Sequence, residues 1–166
     1  IYFKIKSNKG QDEVNKFTSN ILNIVIIISF LFILLGIIFA PYIVKIFAVG
    51  FKGEVFNLTV SYSKILIFSM IFIATNGLVS SYLVASGNVY ISGAITIPFN
   101  ILVIVAIILA SKTNSYTMVY GTLIAYMAQL LFQIPLLIKK GYKHNFAVNL
   151  KDENIRQILI LVIPVF

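Results

Sequence analysis

Thr122, Tyr126, Gln129 and Gln133 follow one another at steps of four, three and four, so on a helix they share one face. Ser92, Thr96 and Asn100 repeat at steps of four beside Pro98, and Ser69, Asn76 and Ser80 share a third face with Gly77 next to Asn76. These are amides, hydroxyls and a phenol. They can donate and accept hydrogen bonds, but none offers an acid, base or nucleophile at neutral pH. The rest of the composition sharpens that point. There is no cysteine, one histidine (His144) and five scattered carboxylates. Disulfides, thiolate sites, metal clusters and catalytic triads are therefore excluded within this segment, and no cofactor is expected.

The elements that must position these stripes are set by charge. Residues 21–40, 65–85, 91–110 and 116–138 carry no Asp, Glu, Lys or Arg. A hydrocarbon core about 30 Å thick is crossed by roughly 20 apolar residues of helix. The composition is 60% hydrophobic and 11% charged, with a mean hydropathy of +0.99. Disorder and an ordinary soluble domain are both ruled out. The fold class expected is all-α: a polytopic transmembrane helix bundle of four spans.

The basic residues then orient it. Lys4, Lys6, Lys9 and Lys16 precede the first stretch, and Lys139, Lys140, Lys143, Lys151 and Arg156 follow the fourth. Four crossings return the chain to its starting side, so parity and charge agree that segments 1–20 and 139–157 are cytoplasmic. The net charge of +8 is explained by orientation and needs no nucleic acid. Pro41 is expected to close the first span, leaving an irregular outer loop to residue 63. Ser86-Gly87-Asn88 reads as a tight helical hairpin. Asp152 and Glu153 fit the first turn of a further helix, with Arg156 spaced to pair with Asp152, and 158–166 begins another apolar run. A start at Ile1 and an end inside that run read as the edges of a piece of a longer protein.

Two readings of the polar stripes stay open. Spans two to four could line a polar path, or the same residues could be hydrogen-bonding glue between helices. The candidate set is Asn76, Ser80, Ser92, Thr96, Asn100, Thr122, Tyr126, Gln129 and Gln133, with Lys64 as a candidate head-group contact at the outer edge of the second span. The first span has only Asn23 and Ser29 and reads as the most lipid-exposed. His144 reads as a solvated loop residue.

In order and spacing these pieces resemble the MurJ/MviN family of lipid II flippases. The first span ends Phe39-Ala40-Pro41-Tyr42, and Ala48-Val49-Gly50-Phe51 is similar to the family's outer-loop Ala-Pro-Gly-Phe. Asn100 matches an Asn of the family's fifth helix. Gln129-Leu130, Gln133-Ile134-Pro135 and Lys139-Lys140-Gly141 match its sixth, and Asp152 to Arg156 with Pro164 resemble the entry to its seventh. Val49 and Phe68 stand where members often have proline. The resemblance implies helices three to six, with the end of two and the start of seven, of the N-terminal lobe of a two-lobed exporter of the MOP superfamily, with 139–157 as the cytoplasmic linker between the lobes. It implies a lipid II or related polyprenyl-pyrophosphate cargo, membrane lipids and the rest of its own chain as partners, and the bacterial cytoplasmic membrane as location. The family's essential charges lie in helices that this segment does not hold complete. The rivals are a sibling exporter of another polyprenyl-linked oligosaccharide, and a non-transporting scaffold of cell-wall synthesis. An enzyme acting on polyprenyl phosphates would need carboxylate or histidine clusters that are missing here.

Overall fold

A computed structural model describes residues 1–152 and 154–157. Glu153 and the apolar run 158–166 lie outside the described residues. Among those described, every regular element is a helix. Helix α1 spans Tyr2–Phe47, α2 Gly53–Leu66, α3 Ser69–Ala85, α4 Ile91–Ala94, α5 Thr96–Ala110 and α6 Ser115–Lys139. Three helical paths are long and apolar enough to cross a membrane: Tyr2–Phe47, Gly53–Ala85 and Ser115–Lys139. The flanks of these helices are lined by exposed Ile, Leu, Val and Phe, a surface that suits lipid tails rather than water.

The boundaries depart from expectation in three places. First, α1 does not stop at Pro41. It runs on to Phe47, with Pro41 inside it and a bend at Gly10 near its start. Proline withholds one N–H from a helix already held on both sides, so the helix survives it. Second, the expected outer loop is mostly helix, because α2 starts at Gly53. A tightened step at Ile67–Phe68 joins α2 to α3, where Phe68 N–H reaches Ile65 O at 3.3 Å and Met70 N–H reaches Ile67 O at 3.1 Å. The Ser69 hydroxyl donates to the Leu66 carbonyl at 2.6 Å, covering an acceptor left by that step. Third, the stretch 91–110 is broken at Ile95 into α4 and α5. Pro98 has no N–H to give the Ala94 carbonyl, so one rung of the ladder is missing at this turn.

Packing follows small residues and the basic end. Helix α5 lies against α6, where a Cβ on Gly121 would collide with Ala106. Among the described residues, Ala106 is the one that α5 buries. Helix α5 thus buries less of itself than the first span does, and α2 buries no residue fully. Helix α1 buries Ser29, Ile33, Gly36, Ala40 and Val44 along one face, against α2 and α3. The main core gathers at the end of the bundle that carries Lys139 and Lys140. It holds Val14, Phe17 and Leu22 of α1, Val79, Tyr82 and Leu83 of α3, Ile91, Ile95, Leu137 and Tyr142. Helix α6 ends there in a Schellman arrangement: Gly141 (φ 79) lets its N–H reach Ile138 O at 2.9 Å while Tyr142 N–H reaches Leu137 O at 3.2 Å. That left-handed residue turns the chain back toward α1.

Candidate functional site

The polar faces of α3 and α6 meet in an amide cluster. The Asn76 Nδ2 donates to the Tyr126 carbonyl and to Gln129 Oε1, both at 3.2 Å. The Gln133 Nε2 donates to Asn76 Oδ1 at 2.8 Å and more weakly to the Gln129 carbonyl at 3.4 Å. Gln133 is 0% exposed, and its Oε1 is buried with no donor among the described residues. Leaving a buried acceptor unpaired costs on the order of 1–3 kcal/mol. In front of this cluster lies an open groove of about 300 Å³, lined by Ile73, Asn76, Gly77 and Ser80 of α3, by Ile95, and by Tyr126 and Gln129 of α6. The Tyr126 ring is braced by Phe99 at 4.6 Å. The polar groups lining the groove are amides, a hydroxyl and a phenol, so it can hold a hydroxyl, an amide or water.

The stripes therefore converge only in part. Asn76, Ser80, Tyr126 and Gln129 come together, with Gln133 behind them. Thr96 and Thr122 bond back to their own helices, at Gly93 O (2.7 Å) and Met118 O (2.9 Å), and do not line the groove. Asn100 is exposed on α5, away from it. The side chain of Ser92 lies outside the described residues. Lys64 is exposed in the last turn of α2, within the helical path that runs from Gly53.

A second and denser polar network occupies the basic end, and sequence spacing does not announce it. Asn15 Nδ2 donates to the Gly141 carbonyl at 2.9 Å. Asn15 Oδ1 in turn accepts from Gln11 and from Tyr82, each at 3.2 Å. Ser19 Oγ meets the Tyr142 hydroxyl at 2.9 Å and accepts the Asn145 N–H at 3.0 Å. Asn20 and Asn149 exchange two bonds of 2.8 Å, amide to carbonyl and N–H to Oδ1. Asn23 Nδ2 donates to the carbonyls of Asn145 (2.8 Å) and Ala147 (3.0 Å). Tyr142 also contacts His144 Nδ1 at 2.8 Å, so the solvent-exposed His144 is held in place. Burial pushes the Tyr142 phenol above its ordinary pKa, and the bond to Ser19 opposes that only in part. The segment after α6 is thus laced to α1. Asp152 also departs from expectation. Its Oδ1 caps the next turn by accepting Asn154 N–H at 2.8 Å and Asn154 Nδ2 at 3.0 Å, rather than pairing with Arg156.

Against known proteins, the family model described as "Lipid II flippase MurJ" matches residues 1–166. No curated protein matches the chain significantly.

Proposed function

The chain belongs to the MurJ family of lipid II flippases, and from that premise we propose that it forms part of one lobe of a two-lobed exporter in the bacterial cytoplasmic membrane. The lobes rock to face the cytoplasm and then the outside, carrying lipid II from the inner to the outer leaflet. The cargo explains why a protein is needed. A large, polar, anionic head group cannot cross hydrocarbon unaided, because every buried charge and unpaired polar group is penalised. The single observation that carries the reading is the family match over the whole chain, joined to three helical paths long enough to span a bilayer.

In this reading the residues divide by role. Asn76, Ser80, Tyr126 and Gln129 present a neutral polar groove that takes uncharged groups or water during transport, with Gln133 buttressing them. Thr96, Thr122 and Asn100 brace or border other surfaces. Lys64 and the lysines at the end of α6 sit at opposite head-group levels. The anionic part of the cargo requires cations from helices other than these, because no described residue places a cation in the groove.

Complementation tests the proposal. The gene encoding this chain is expressed in a bacterium depleted of its own lipid II flippase, with membrane expression verified by blot. Restored growth and cell shape are expected. Failure at full expression would move the assignment to an exporter of another polyprenyl-linked oligosaccharide or to a scaffold.

A further inference from the structure

Four side chains of α1, at positions 15, 19, 20 and 23, fall within about two turns of one helix. Apart from the Ser19–Tyr142 contact, what they grip in segment 141–149 is backbone: the carbonyls of Gly141, Asn145, Ala147 and Asn149 and the N–H groups of Asn145 and Asn149. The segment helps to hold itself, since Ala147 N–H bonds Asn145 Oδ1 at 2.9 Å. This segment has no helix or strand of its own, so α1 supplies the partners that secondary structure would otherwise provide.

Just beyond it the bonding thins. Asn149 is clamped by Asn20 on one side. On the other side Asp152 anchors a new helical turn, accepting Arg156 N–H at 3.0 Å and capping Asn154. Between the two anchors stand Leu150, 70% exposed, and Lys151, whose N–H reaches, among the described residues, just the neighbouring Asn149 Oδ1 at 3.0 Å. Any displacement of the turn anchored by Asp152 is absorbed where the fewest long-range bonds resist it.

We infer that residues 141–149 form a strap that travels with α1 as one body, that Asn20 and Asn23 are its positioning residues, and that the pivot between the lobes lies at Leu150–Lys151. The inference rests on the rocking-lobe reading above. It adds that the connection between lobes is a short hinge after a pinned strap, not a loose tether along its whole length.

The test is by spin-label distance measurement on the full protein in liposomes, without cargo. This chain has no cysteine of its own. One label pair joins the far end of α1 to the strap (Phe47→Cys with Phe146→Cys). The other joins the same point to the far side of the pivot (Phe47→Cys with Arg156→Cys). All three positions are exposed. A narrow distribution for the first pair and a broad or two-peaked one for the second are expected. Adding Asn20→Ala with Asn23→Ala is expected to broaden the first pair at unchanged helix content, and to speed amide exchange at Asn145 and Asn149 at least tenfold. Two equally broad distributions would overturn the strap. Two equally narrow ones would overturn the pivot. An unaltered first pair in the double variant would remove Asn20 and Asn23 from the positioning role. None of these readouts needs lipid II, so failure here is separable from failure of complementation.

Discussion

The amide cluster between α3 and α6 and the strap network on α1 are both built from neutral polar side chains, yet they are completed differently. At the strap, each bond made by Asn15, Ser19, Asn20 or Asn23 closes on a backbone group or another side chain, and both halves of the Asn20 amide are used. In the cluster, Gln133 keeps an acceptor without a donor among the described residues, and the groove in front of it is open. A saturated network specifies one arrangement. A half-satisfied one does not penalise rearrangement in the same way, because a moved helix can gain a bond as well as lose one. The contrast teaches where this protein is held fixed and where it keeps an interaction in reserve.

The largest effect is expected at the strap. Asn20→Ala with Asn23→Ala removes four side chain–backbone bonds. At about 1 kcal/mol per bond, less where the strap can turn to water, a loss of roughly 2–3 kcal/mol is expected in chemical unfolding. A loss below half of that would erase the contrast. Next comes Asn76→Ala, which strips the hub of the cluster and leaves Gln129 and Gln133 without their shared partner. Interhelical bonds in membranes average near 0.6 kcal/mol and reach about 1.7, so a loss of roughly 1–2 kcal/mol is expected by the same assay. Smaller still is Gln133→Leu. It deletes the unpaired carbonyl while freeing Asn76 Oδ1, so the two changes offset to within about 1 kcal/mol. A loss as large as that of Asn76→Ala would mean that the Gln133 carbonyl is partnered after all, and the two regions would then be alike.

The mildest probe is alkaline pH. The folded Tyr142 phenol titrates above its ordinary value of 10.0 because burial disfavours the phenolate. Below pH 10 the phenol is neutral in both folded and unfolded chains, so its contribution is fully present. As pH rises above 10 the unfolded chain ionises first, and stability falls until the folded phenol also ionises. Tyr142→Phe is expected to flatten that part of the stability curve. An identical alkaline slope in the variant would place the titration at another residue.

Some of this is legible in the residues alone. Runs without charge lead to membrane helices because hydrocarbon selects them by solvation, residue by residue. The stripe of Tyr126, Gln129 and Gln133 is legible because helical periodicity places neighbours on one face, and the partner stripe on α3 shares it. Gly87 and Gly141 mark helix ends for a local reason, the left-handed backbone. Local rules fail where they meet tertiary support. Pro41 is expected to end α1, and spacing alone leaves Thr96, Asn100 and Thr122 either lining a path or bracing helices. Neighbouring helices sustain the first, and the break at Ile95 together with bonds back to the helix redirects the others. The first span reads as lipid-exposed because Ile and Leu look alike toward lipid and toward protein. Only the packing against α2 and α3 tells them apart.

The sequence by itself determined that this chain lives in a bilayer, that its polar chemistry is neutral hydrogen bonding, and to which family its order of motifs points. These depend on composition and short-range spacing, which the chain carries in one dimension. The strap on α1, the Gln133 carbonyl left without a donor among the described residues and the short pivot after Asn149 were decided only by the tertiary structure. They join residues more than a hundred positions apart, or depend on which donor fails to arrive. Bonds from side chains to distant backbone leave no period in the sequence, since any residue offers the same backbone to be gripped.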